Sequence, residues 1–261
     1  MDWQEVSGSW VLIPSRPIAI IHFLGGAFVA TAPQVTYRRL LERLAAQGYA
    51  IIATPFVNTF DHIAIARAVQ RNFERTLEKL YATSIRRGYL PIYGLGHSMG
   101  CKLHLLIGSL FTVERAGNIL ISFNNFSARE AVPLVEQFSS LFSSLAFNPT
   151  VEFTPSPAET NQLVSQKYQV RRNLLVKFAN DTLDQTLPLA EILAIRFPGM
   201  VVAERLAGNH LTPLGPEGNS PVGAVFTPFD AIGQWMRQEI YRELHQLERI
   251  ILRWLNPLGE F

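Results

Sequence analysis

The chain has 261 residues, of which 48% are hydrophobic and 17% charged, and its formal net charge is +2. That length and apolar content support a sizeable core and exclude a disordered chain. No run of Lys and Arg exceeds two residues, so nothing marks a nucleic-acid-binding surface.

Cys101 is the only cysteine, which rules out an intramolecular disulfide and a thiolate metal cluster. The opening MDWQEVSGSWVLIPSRP carries two acids and no basic stretch ahead of an apolar run, so it does not read as a secretion signal. No apolar stretch reaches the roughly 18 residues that a membrane-spanning helix needs. A cytoplasmic protein with no integral membrane segment is the expectation.

In chain order, short apolar runs alternate with helical patterns. Trp10 to Pro14 reads as an antiparallel edge strand. PIAIIHFLGG (17–26) is a β-rich run ending in glycines. TYRRLLERLAAQG (36–48) puts Leu40, Leu41, Leu44 and Ala45 on one helical face and stops at Gly48. YAIIATPF (49–56) is a buried strand, 61–88 a long helix, LPIYGLGH (90–97) a strand, and Met99 to Phe111 a buried helix. NILISFNN (118–125), NLLVKFAN (173–180) and MVVAERLAG (200–208) are further strands, and Phe229 to Leu255 is a long amphipathic helix. Buried strands alternating with helices predict an α/β fold, a mostly parallel sheet covered on both faces.

Residues 126–172 break the rhythm. Within them Leu134, Phe138, Leu141, Phe142 and Leu145 form an apolar helical stripe. An insertion between two sheet strands is a candidate helical lid, and Phe138 and Phe142 are its candidate substrate contacts. An ordinary core helix would show the same stripe. The chain is expected to be one domain over 1–261 with this insertion.

GLGHSMG (94–100) lies between a predicted strand and a predicted helix. In that setting G-x-S-x-G places Ser98 on a sharp strand-to-helix turn, where residues two positions away must be small. The Ser98 hydroxyl then projects above the sheet, and the amide of Met99, at a helix N-terminus, can bind a developing oxyanion. A serine nucleophile needs a base, and the base an orienting acid. His210 follows the strand MVVAERLAG, and Asp181 follows NLLVKFAN directly, with Asp184 as the second choice. His22 reads as a core histidine, His62 with Asp61 as either lining the pocket or capping the helix it opens, and His104 and His245 lie on helices and compete poorly as the base. His97, inside the elbow, cannot serve as the base for Ser98 and is placed among the substrate-contacting residues. The loop after NILISF reads Asn124-Asn125, which cannot supply the acid. HFLGGAFVA (22–30) offers the second oxyanion amide at Ala27, with Gly26 and Phe28 as near alternatives that also count among the substrate-contacting residues. No H-E-x-x-H, paired cysteine or well-placed G-x-G-x-x-G exists, so neither a metal nor a cofactor is expected.

On HFLGGAF, GLGHSMG, FANDTLDQT and GNHLTP the chain resembles the α/β-hydrolase superfamily over nearly its whole length. NTFDH (58–62), GHSMG (96–100), NDTLDQT (180–186) and GNHLTP (208–213) resemble more narrowly an uncharacterised family of that clan found in photosynthetic organisms, cyanobacterial and plastid-bearing. The resemblance implies a serine-hydrolase site at Ser98, Asp181 and His210, and no particular substrate. The expected activity is hydrolysis of an ester or related acyl bond in a small molecule with an apolar part. Acyl transfer, carbon–carbon or peptide bond cleavage, and non-catalytic binding stay open, as does the oligomeric state.

Overall fold

The computed structural model describes residues 1–27, 29–85, 88–127, 130, 152–215 and 230–258. Its centre is an eight-stranded sheet in the order β1-β2-β4-β3-β5-β6-β7-β8. The strands are β1 Gln4–Val6, β2 Ser9–Leu12, β3 Ala19–Leu24, β4 Tyr49–Ala53, β5 Ile92–His97, β6 Gly117–Ile121, β7 Asn173–Phe178 and β8 Val201–Leu206. β3 to β8 run parallel, and β1 and β2 are antiparallel to their neighbours.

The expected antiparallel strand near Trp10 is present as β2, but it is not the edge. β1 pairs outside it in a hairpin whose turn residues Ser7 and Gly8 have φ of 51° and 81°. Such a turn follows the twist of the strands it joins. The polar Gln4 and Glu5 hide β1 from a reading based on apolar runs.

Seven helices are described: α1 Pro33–Thr36, α2 Arg38–Ala46, α3 His62–Thr83, α4 Met99–Leu110, α5 Pro157–Lys167, α6 Thr186–Arg196 and α7 Asp230–Leu255. The helix expected over 36–48 breaks at Tyr37, which separates α1 from α2. α2 buries Leu40, Leu41, Leu44 and Ala45, the face its spacing predicted, and Gly48 follows with φ 91°. Each leucine buried there contributes roughly 1.5–3 kcal/mol. α4, which follows the elbow, is buried over almost its full length because it lies between α3 and α5 and against the sheet.

About half of the candidate lid lies outside the described residues, including Leu134, Phe138, Leu141, Phe142 and Leu145. Its C-terminal part is described. Asp61 and Thr154 form an isolated parallel bridge, with His62 N–H donating to Thr154 O at 2.8 Å and Thr154 N–H to Phe60 O at 2.8 Å. The Lys102 ammonium, buried on α4, donates to Pro155 O at 3.1 Å. The chain re-enters through α5, which opens with a capping box between Ser156 and Glu159.

Candidate active site

The carboxyl ends of β3, β5, β6, β7 and β8 converge on one edge of the sheet, where loops gather reactive groups in α/β folds. Ser98 joins β5 to α4 with φ 55° and ψ −118°, a conformation that is strained for a residue with a Cβ. Its N–H donates to Ile121 O at 2.9 Å, tying the corner to β6. The flanking glycines are required by contact distance. A Cβ on Gly96 would lie 2.7 Å from the Cys101 nitrogen, and one on Gly100 would lie 2.0 Å from Leu24 O. Both distances are below any real contact, so the spacing G-x-S-x-G follows from backbone crossing backbone.

His210 lies in the loop after β8 and bridges two groups. Its Nε2 is 3.1 Å from Ser98 Oγ, and its Nδ1 is 2.9 Å from Asp181 Oδ2. Asp181 follows β7, and its other oxygen accepts the Leu183 N–H at 3.0 Å. Burial alone would raise the Asp181 carboxyl. The hydrogen bonds to it and the charge of His210 outweigh burial and hold it below the usual carboxylate range. Asp184 lies elsewhere: its Oδ1 accepts Thr186 N–H at 2.6 Å and is 3.4 Å from Lys177 Nζ. Burial raises its carboxyl, against the partial opposition of Thr186 and Lys177.

Gly26 approaches Ser98 closely enough that an added Cβ would be 3.5 Å from the Ser98 Cβ. Its amide, however, donates to the Tyr37 hydroxyl at 2.8 Å and is therefore not free for an oxyanion. Ala27 follows, half-buried, and Phe28 lies outside the described residues. Met99 N is at the start of α4, and the Met99 side chain is buried.

His97 is placed differently from its expected role. It is 2% exposed, and its two ring nitrogens face Tyr37 and the His210 backbone. Tyr37 Oη is 2.7 Å from His97 Nδ1, and His97 Nε2 is 2.9 Å from His210 O. Burial pushes the His97 imidazole down to about 3 and pushes the Tyr37 phenol up. Both therefore stay neutral at ordinary pH, and the donors are fixed: Tyr37 O–H to His97 Nδ1, and His97 Nε2–H to the His210 carbonyl.

Two polar side chains in this region carry no motif and were missed by the sequence. One is Tyr37, an unremarkable position in a helical pattern. The other is Asn124, whose Nδ2–H donates to Ser98 Oγ at 2.8 Å. The remaining histidines have other surroundings. His22 stacks on Phe73 at 4.2 Å in the core, and His62 stacks on Phe153 at 4.5 Å. Asp61 caps α3 by accepting Ala64 N–H at 2.8 Å. Among the described residues no group of three or more His, Cys, Asp or Glu is arranged to hold a metal ion, and no helix is long and apolar enough to cross a membrane.

This sheet order, with an elbow after β5 and loops from β7 and β8 meeting it, defines the α/β-hydrolase fold. The chain belongs to the family described as "Protein of unknown function (DUF1350)", whose model matches residues 2–257. No curated protein matches it in sequence. Among solved structures it is similar to the Pyrococcus furiosus esterase PF2001, at 13% identity and a TM-score of 0.59, covering 91% of this chain and 85% of that one. It is also similar to a thioesterase domain from the curacin biosynthetic pathway, at 13% identity and a TM-score of 0.52, covering 90% of this chain and 98% of that one. A third is the Staphylococcus aureus fluorophosphonate-binding serine hydrolase FphF, at 14% identity and a TM-score of 0.53, covering 90% and 91%. At these identities the similarity speaks for the fold.

Proposed function

We propose that this chain is a serine hydrolase that cleaves a carboxylic ester or related acyl bond of a small molecule with an apolar part. The observation that carries the reading is His210, within hydrogen-bond distance of both Ser98 Oγ and Asp181 Oδ2. The esterase and thioesterase names of the structural relatives are in keeping with it.

In this reading Ser98 Oγ attacks the acyl carbon while His210 Nε2 takes its proton. Asp181 keeps the other ring proton on Nδ1 and stabilises the imidazolium. The amides of Met99 and Ala27 hold the oxyanion, Gly26 being committed to Tyr37. The bond to the leaving group breaks, and that group departs with the proton from His210. Water then attacks the acyl-Ser98 ester, gives its proton to His210, and releases the acid as Ser98 regains its hydrogen. Every group used is a side chain or amide of this chain, or water.

The single domain, the cytoplasmic location suggested by one cysteine, and the family's place in photosynthetic organisms belong to the same reading. So does the lid over 126–172, which rests on the apolar stripe containing Phe138 and Phe142. The test is a fluorophosphonate probe on the purified protein: wild type becomes labelled and Ser98→Ala does not. An unlabelled wild type would refute the hydrolase reading and favour a non-catalytic binding role.

A further inference from the structure

We infer that Asn124 is a further catalytic residue, a hydrogen-bond donor to the nucleophile oxygen that acts mainly in release of the acyl group from Ser98. The inference rests on the serine-hydrolase reading above and goes beyond it.

The orientation of Asn124 follows from counting protons. A carboxylate only accepts, so Asp181 Oδ2 fixes the proton of neutral His210 on Nδ1. His210 Nε2 is then an acceptor and takes the single proton of the Ser98 hydroxyl. Ser98 Oγ has only lone pairs left to offer, so the contact from Asn124 at 2.8 Å is an N–H donor. In the resting site the Ser98 oxygen is thus closer to Asn124 than to the His210 ring nitrogen, which is 3.1 Å away.

Topology places this donor apart from the oxyanion hole. Asn124 follows β6, which flanks β5 on one side, while the Gly26–Ala27 loop follows β3 on the other. In the proposed mechanism the carbonyl oxygen is held by Met99 and by Ala27 of the β3 loop, on the opposite side of β5 from the β6 loop that carries Asn124. What Asn124 contacts is Oγ itself.

A donor to Oγ gains strength whenever negative charge grows on that oxygen, and only this gain changes a rate. In acylation the reactant hydroxyl already accepts from Asn124, so the gain on attack is partial. In acyl-Ser98 the oxygen is an ester oxygen, a weak acceptor. When water has added and the tetrahedral adduct collapses, the acyl carbon–Oγ bond breaks. Its electron pair stays on Oγ, and the proton arrives from His210. Asn124 therefore goes from a weak hydrogen bond to a strong one during deacylation, and its effect is larger there. Removing a fixed donor from a developing oxyanion costs on the order of 10²–10³ in rate. Because Oγ is protonated as it leaves, a smaller loss of roughly 10- to 100-fold follows for this step.

The experiment compares wild type, Asn124→Ala and Asn124→Asp. Acylation is read as the second-order rate of fluorophosphonate labelling. Deacylation is read as the decay of acyl-Ser98, followed by intact mass after a pulse of a short-chain p-nitrophenyl ester. The expected result is labelling within about threefold of wild type and deacylation slowed at least about tenfold, with acyl-enzyme accumulating only in the variants. Asn124→Asp keeps the side-chain size and replaces the donor by an acceptor, so it carries the test if Asn124→Ala melts below the assay temperature. Equal slowing of both steps, or no slowing of either, overturns the inference while leaving the hydrolase reading intact. A wild type that neither labels nor turns over removes both.

Discussion

The Tyr37 hydroxyl and His97 Nδ1 are 2.7 Å apart, and the pair joins three loops: Gly26 donates to Tyr37, and His97 donates to the carbonyl of His210. The glycine loop, the elbow and the histidine loop are thus held at fixed distances by two neutral side chains. Tyr37→Phe removes the link and leaves the Gly26 N–H and His97 Nδ1 buried without it. A buried unpaired polar group costs about 1–3 kcal/mol, so for the two groups a total loss of about 2–6 kcal/mol is expected in urea unfolding. Fluorophosphonate labelling is expected to slow at least about tenfold, because small displacements of reacting groups are costly. Unchanged labelling would mean that the chain of hydrogen bonds only stabilises the fold.

Asp181 and Asp184 are three residues apart, but their surroundings push their carboxyls in opposite directions. Asp181→Asn is expected to slow labelling by roughly 10²- to 10⁴-fold, in line with the loss of the orienting acid of a triad. Asp184→Asn should stay within a few-fold of wild type. The two also differ in acid. A carboxyl held below its unfolded value of about 3.9 contributes stability that is complete above that pH and is lost as pH falls through the folded value. Asp184, raised by burial, imposes a cost above its folded value that acid relieves. Between pH 5 and pH 3, Asp181→Asn should therefore lose less stability than wild type, and Asp184→Asn should lose more. Parallel unfolding curves for all three proteins would show that these carboxyls do not set the acid limb.

What the sequence made legible follows physical scale. The parallel strands are written in short apolar runs, most helices in apolar positions spaced three and four apart, and the elbow in glycines that backbone contact makes obligatory. Asp181 and His210 are legible because each lies in the loop just after a strand, the buried β7 and the edge strand β8. Asn124 cannot ionise, so its residue type alone gives it no place in a triad. Its role as a donor depends on a distance to Ser98 that no spacing encodes. Tyr37 looked like one more helical residue, and the break between α1 and α2 that turns it inward has no glycine or proline at Tyr37 to announce it. His97 is expected among the substrate contacts, and in the structure its ring nitrogens face Tyr37 and the His210 carbonyl. Alternation along the last residues of β5 turns its side chain away from the serine, toward Tyr37.

The lid reading makes a prediction about specificity. If Phe138 and Phe142 face a bound acyl chain, Phe138→Ala and Phe142→Ala should lower turnover of long-chain esters more than that of short-chain ones, with small changes in melting temperature. A buried core phenylalanine instead loses roughly 3–5 kcal/mol on truncation. A large fall in melting temperature with unchanged chain-length preference in both variants would assign the stripe to the core.

Lys102 offers a test of how the C-terminal end of that insertion is anchored. It projects from α4, one turn beyond Ser98, and is 2% exposed. Its ammonium donates to Pro155 O at 3.1 Å, beside the bridge between Asp61 and Thr154. Burial pushes it down to about 8, with Glu152 and Glu159 opposing the shift. A lysine whose folded value lies below its unfolded value of about 10.4 costs stability, because folding disfavours the charged form. That cost is complete below the folded value and disappears as pH rises from about 8 to about 10.4. Wild type should therefore gain stability relative to Lys102→Met over that interval, and the Met variant, which keeps the apolar stem, should be the more stable of the two at pH 7. Replacing a buried charge by an apolar side chain of similar volume is often neutral or stabilising by about 1–4 kcal/mol. The measurement is urea unfolding of both proteins at pH 7, 8, 9 and 10. If the difference between them stays constant across the series, Lys102 does not titrate in that range and its ammonium is better paired than burial alone implies. If the Met variant is the less stable at pH 7, the hydrogen bond to Pro155 outweighs desolvation and helps α4 to hold the end of the insertion.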